Sequence, residues 1–146
     1  MNHENRRVSG GLDYEVYHFV FETSIEIFEE VFEVSKRFPK EKFYLTDQLR
    51  RHARAVCTYL AEAWRMQGQR SILVGKLSDA AEAASKAQNC LGLAAKYNYV
   101  GEDVFKKIDT RYEEIFEDVF AMLCSEGKDR YLTEEKMQFC CSEKSA

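Results

Sequence analysis

Apolar positions recur along most of this chain at spacings of three and four residues, the period that collects side chains on one face of an α-helix. The clearest case spans residues 71 to 97. Leu73, Leu77, Ala80, Ala84, Ala87, Leu91 and Ala94 form one line there, and the alanines with Gly92 permit close approach of neighbouring backbones. A helix from residue 13 to about 37 carries a broader stripe. Val16, Phe21, Ser24, Ile25, Ile27, Phe28, Val31, Phe32 and Val34 take nearly half its circumference, opposite Glu22, Glu26, Glu29, Glu30, Glu33 and Lys36. A surface helix needs a stripe somewhat over ~100° wide. This helix is therefore predicted to meet two neighbours or a partner subunit. Phe38-Pro39 ends it, because the residue before proline avoids helical angles.

The next helix starts near Pro39 or just after Thr46, with Thr46 and Asp47 as candidate caps, and runs to about Met66. Leu45, Leu49, His52, Val56, Tyr59, Leu60 and Ala63 share its inner face, with Arg50, Arg54 and Arg65 on the other side. Gln67-Gly68-Gln69 and Asn98 to Gly101 read as connections. A last helix opens with Glu102 and Asp103, favourable at the positive end of the helix dipole. Val104, Ile108, Tyr112, Ile115, Phe116, Val119 and Leu123 carry its apolar face, and Gly127 is expected to stop it. There is no strand-like alternation and no internal repeat. The pattern predicts an all-α, antiparallel up-down-up-down four-helix bundle over residues 12–125. Residues 1–11 read as an N-terminal arm. Residues 126–146 read as a tail in which Thr133 caps a short extra helical turn.

With 146 residues, the chain is long enough for one domain with a real core. No run approaches ~18 apolar residues, so no membrane span is expected. The N-terminal stretch lacks the apolar segment of a secretory signal, and a cytoplasmic location is the expectation. Cys57, Cys90, Cys124, Cys140 and Cys141 are odd in number and show no CxxC spacing, so reduced thiols are expected. The formal net charge of −4 argues against generic polyanion binding. That charge is uneven. Residues 12 to 34 hold Asp13, Glu15 and five further glutamates but no Lys or Arg, whereas the arginines crowd between residues 50 and 70. Such polarity suggests complementary packing within or between subunits.

No catalytic constellation stands out, and neither an enzyme activity nor a cofactor is expected. A di-iron bundle needs two Glu-x-x-His motifs, and only Glu15-x-x-His18 fits. No histidine has an arginine four to six residues upstream, as a helical ribonuclease of the HEPN type would need. Cys57 and Cys90 lie in alanine-rich helices, where a buried thiol is inert. Arg50, Arg54, Arg65 and Arg70 are candidate phosphate contacts. With Arg51, they could instead pair with the glutamate-rich first and fourth helices. Arg51 and Glu62 share a face with Ala55 and Thr58, and at ~1.5 Å per residue they lie roughly 16 Å apart, too far to pair with each other. They are predicted to be largely buried and paired across helices or subunits; the alternative is two solvated charges. Trp64, Phe28 and Phe32 read as core or interface.

The order Phe38 to Glu41, Phe43, Leu45-Thr46, Gln48 to Arg51 and Leu60-Ala61-Glu62 resembles the four-helix-bundle family encoded by 23S ribosomal RNA intervening sequences, the S23 family. Ala63 to Arg65, Lys76 to Ala80 and the Tyr97 to Val100 connection extend the resemblance, which covers about residues 12 to 125. It implies an antiparallel four-helix bundle assembled as a homopentamer. A related group, the accessory variability determinants of diversity-generating retroelements, partners a reverse transcriptase and binds nucleic acid through a strongly basic surface. The resemblance thus implies two roles: a self-assembling scaffold, or a nucleic-acid-binding accessory to a reverse transcriptase.

Overall fold

A computed structural model describes residues 11–126. Four α-helices account for almost all of them: α1 (Tyr14–Ser35), α2 (Phe43–Arg65), α3 (Arg70–Lys96) and α4 (Glu102–Glu126). Each helix packs on its neighbour in the chain, and α4 closes the ring by packing on α1. Connections of a few residues between helices packed along their length force each to reverse. The cross-helix contacts follow that antiparallel order. Tyr17 at the start of α1 meets Trp64 at the end of α2, and Arg111 of α4 reaches both Glu26 and Glu30 of α1.

The helix ends have local causes. Asp13 caps α1, its Oδ1 accepting the Val16 N–H at 3.1 Å. After Ser35, three successive i→i−3 hydrogen bonds tighten the chain up to Phe38, whose ring is buried against Tyr99. Of the two starts foreseen for the second helix, the earlier is the observed one. A 3₁₀ turn at Lys40–Lys42 follows Pro39 and runs straight into α2. Thr46 and Asp47 are therefore inside α2 and cap nothing, and Lys42 makes no side-chain cap either.

The α3–α4 connection closes with a motif that the sequence reading did not identify. Asn98 adopts φ +61°, the left-handed conformation that asparagine tolerates better than most residues. The Asn98 N–H donates to the Ala95 carbonyl at 3.0 Å and the Tyr99 N–H to the Ala94 carbonyl at 2.9 Å. That pair of bonds is the Schellman closure of a helix C-terminus. Gly127 and Thr133 lie outside the described residues.

The inner line foreseen for α3 is entirely buried, from Leu73 to Ala94. α4 buries Ile108, Tyr112, Ile115, Val119 and Leu123 as expected, but Val104 is exposed. α1 departs from expectation. Its buried face is Tyr17, Val20, Thr23, Ser24, Ile27, Val31 and Ser35. Val16 and Phe32 are exposed, and Phe21, Ile25, Phe28 and Val34 are only partly covered. In α2 the buried line is Leu49, Ala53, Val56, Cys57, Leu60 and Ala63, which leaves His52 and Tyr59 half-buried.

Candidate functional site

The outward face of α2 follows from its inner one. With Leu49, Val56 and Leu60 in the core, helical geometry sends Phe43, Tyr44, Asp47, Arg51, Arg54, Thr58 and Arg65 outward, and all seven are exposed. Phe43 is 57% and Tyr44 71% exposed, with their rings 4.2 Å apart between centroids. Lys40, Glu41 and Lys42 precede them, also exposed, and Asp47 follows. This pole of the bundle thus carries bare aromatic area among charges of both signs, with the bases of α2 and its approach in excess.

The arginines foreseen as one group have separate fates. Arg50 is half-buried against α1. Its Nε donates to Ser35 Oγ at 2.8 Å, and its guanidinium lies over the Phe32 ring, 4.2 Å from the centroid. Arg54 and Arg65 are exposed and make no ion pair among the described residues. Arg70 is half-buried at the start of α3. Arg51 departs from the expectation of burial: it is exposed and pairs with Asp47 one turn earlier, at 2.8 Å. Lys86 of α3 acts on His52 together with Arg51, and the acid that Arg51 pairs with is on its own helix. Glu62 does pair across helices, with Lys76 of α3 at 2.8 Å, but it is half-exposed and not largely buried. The hydrogen bond to Glu62 raises the Lys76 pKa.

Pairing of the α2 arginines with the glutamates of α1 and α4 is not what the fold builds. The glutamates of α1 meet bases of α4 instead. Arg111 bridges Glu26 and Glu30, and Lys107 lies 3.4 Å from Glu30. The matching i,i+4 spacing of Glu26/Glu30 and Lys107/Arg111 is the signal in the sequence that could have revealed it. Trp64 stacks on Tyr17 at 4.6 Å and meets the edge of Tyr14 at 5.5 Å. Phe28 and Phe32 lie 6.3 Å apart, Phe28 half-buried and Phe32 exposed.

On the opposite side of the bundle, α3 and α4 leave an open groove. Gly92 has nothing within 4 Å of where a Cβ would stand, so the backbone of α3 forms part of the floor. The groove has a volume of about 690 Å³ and is lined by Gly92, Leu93, Lys96, Phe105, Asp109 and Glu113, among others. Gln88 holds the acidic rim in place, donating to Asp109 Oδ1 at 3.1 Å and Glu113 Oε1 at 2.8 Å. A second hollow of about 440 Å³ continues it past Phe105 towards Asn98 and Glu102.

Titration sharpens the contrast between the two faces. Burial, then the charges of Lys86 and Arg51, lower the His52 pKa, so its ring is neutral near pH 7 and adds nothing to the basic face. Burial raises the Cys57 and Cys90 thiols, which stay protonated and poorly nucleophilic. His18 is exposed and stacks on Tyr14. Among the described residues no three His, Cys, Asp or Glu side chains gather as metal ligands.

A family model described as 23S rRNA-intervening sequence protein matches residues 18–120. Among solved structures, the chain is similar to a protein of unknown function from the S23 ribosomal protein family of Bacteroides thetaiotaomicron VPI-5482. The TM-score is 0.67 at 20% identity, over 71% of this chain and 97% of that one. At that identity the likeness is one of fold. A search of curated proteins gives no match.

Proposed function

The chain belongs to the 23S rRNA-intervening sequence protein family, and from that premise we propose that it is a non-enzymatic scaffold that assembles with copies of itself, without a cofactor, in the cytoplasm. Five copies are expected from the family resemblance. The observation that carries the reading is the apolar area that the fold leaves bare. Phe43 and Tyr44 stand side by side at the start of α2, 57% and 71% exposed, with ring centroids 4.2 Å apart. Contiguous exposed apolar area on a small protein marks a contact surface. Gel filtration with light scattering should give a mass near five times 17.0 kDa. A monomer at micromolar concentration would refute the scaffold.

A second reading is favoured by Arg54 and Arg65, exposed cations without an ion pair among the described residues. In that reading they hold phosphates of RNA or DNA, as in an accessory to a reverse transcriptase. Binding should then weaken steeply from low to moderate salt, because counterions are released on association. With a formal charge of −4 per chain, little binding is expected at physiological salt. Tight retention at low salt that falls steeply as salt is raised would favour this second reading over the first, and no retention at low salt would refute it.

A further inference from the structure

The bundle carries two exposed surfaces of opposite character, and nothing in the protomer itself unites them. One is the outer face of the N-terminal half of α2, with Phe43 and Tyr44 bare, Lys40 and Lys42 beside them and Arg54 roughly 15 Å further along the helix, where bases outnumber the exposed acids Glu41 and Asp47. The other is the groove between α3 and α4, floored by Gly92 and Phe105 and rimmed by Asp109 and Glu113, against which Lys96 is the one base of the lining. Aromatic side chains seated in apolar hollows are the usual energetic centre of a protein interface, and opposed charges at the rim set its register. We propose that the aromatic, basic end of α2 in one copy docks into the acid-rimmed α3–α4 groove of the next. The inference rests on the self-assembly proposed above and assigns the surfaces that perform it.

Placement in the fold supports a closed arrangement. α2 stands diagonally across the bundle from α4, so the two surfaces face different directions and a copy can use both at once. They also lie at the same level. Phe43 follows the connection that contains Phe38, and the groove leads to the connection that contains Tyr99; the Phe38 and Tyr99 rings touch, at 6.1 Å between centroids. Two unlike patches at one height relate neighbours by rotation with little rise. Head-to-tail contacts of that kind close into rings, whereas patches offset along the bundle would wind into filaments.

Charge reversal tests the pairing. One variant, Lys42→Glu/Arg54→Glu, makes the α2 end acidic; a second, Asp109→Lys/Glu113→Lys, makes the groove basic. Each alone should sediment as a monomer of about 17.0 kDa with an unchanged far-UV spectrum. Mixed in equal amounts they should assemble again, because the acidic end of one fits the basic groove of the other and the two native surfaces fit as before. Phe43→Ser/Tyr44→Ser should also lower the mass while leaving the protomer's helicity intact. If the native protein assembles and either charge variant keeps its mass, or the mixture stays monomeric, this assignment of surfaces is wrong while self-assembly stands. If the native protein is itself a monomer, both fall. If Lys42→Glu/Arg54→Glu keeps its mass and loses only retention on RNA or DNA, the α2 face belongs to nucleic acid and the docking is refuted.

Discussion

Replacing Tyr112 by phenylalanine should make the bundle more stable, against the rule that core substitutions destabilise. Tyr112 is 1% exposed, and its hydroxyl has no hydrogen-bond partner. A buried polar group left unpaired forfeits its bonds to water, at a cost of ~1–3 kcal/mol. Tyr112→Phe removes that group and keeps the ring that packs the centre of α4. The loss is a few dispersion contacts of ~0.1–0.2 kcal/mol each around one oxygen atom. The balance is a gain of roughly 0.5–2 kcal/mol, taken from these two terms. Urea unfolding followed by far-UV circular dichroism, at a fixed protein concentration, measures it as a higher midpoint at unchanged slope. A variant less stable than the native protein by ~1 kcal/mol or more would mean that the hydroxyl has a partner and is part of a polar network.

Alkali is the second test. Burial raises the Tyr112 pKa strongly above its ordinary value, with the nearby Cys57 adding to it, and burial raises the Cys57 and Cys90 thiols too. Their contribution is full below the unfolded pKa values, ~8.5 for thiols and ~10 for tyrosine, and each group costs up to ~1.4 kcal/mol per pH unit as pH climbs from there towards its folded value. Stability should therefore fall from about pH 9 upward, and Tyr112→Phe should flatten the part above pH 10. Asn98→Gly should be neutral or mildly stabilising because its left-handed φ suits glycine, whereas Asn98→Val should cost roughly 1–3 kcal/mol. Arg111→Met should cost ~1–2 kcal/mol, between exposed and buried pairs, because Arg111 and Glu30 are each about three-quarters covered; a double-mutant cycle with Glu30→Gln reads the coupling.

How far the sequence could be read depended on what marks the packed line of each helix. In α3 an unbroken alternation of three- and four-residue steps through Leu and Ala marks it, and that line is buried although Ile72, Val74 and Leu93 stand off it. α1 is apolar over so much of its circumference that periodicity could not locate the middle of the arc. The packed line falls on Tyr17, Val20, Ile27 and Val31 and admits Thr23, Ser24 and Ser35, small residues that let α2 and α4 come close. Ser24 and Ser35 turn their hydroxyls onto carbonyls of their own helix, at 2.6 and 2.9 Å, which makes their burial tolerable.

Charges were less legible because sequence fixes neither which helix stands beside a side chain nor at what height. Glu62 found Lys76 across the helix pair, whereas Arg51 pairs with Asp47 one turn away on its own helix. Arg50 looked like a surface cation, yet its length lets it lie along Phe32 and reach Ser35. The groove was not foreseen either. It arises between two helices where Gly92 of α3 leaves room beside Phe105 of α4, and no local pattern announces that coincidence.

The stacking of Trp64 between α1 and α2 gives the protein an optical reporter of its own. This is the sole tryptophan of the chain, and it leans on Tyr17 and Tyr14 at the pole where α1 begins. Its emission and its energy transfer from those tyrosines therefore register whether the start of α1 is seated on α2. The docking surfaces lie at the far pole, beyond the reach of direct ring contact. Tryptophan emission, excited where tyrosine does not absorb, should accordingly stay unchanged when copies associate through α2 and the α3–α4 groove, and change early when α1 frays. A label meant to follow assembly belongs near Phe43, where the native chromophore cannot see.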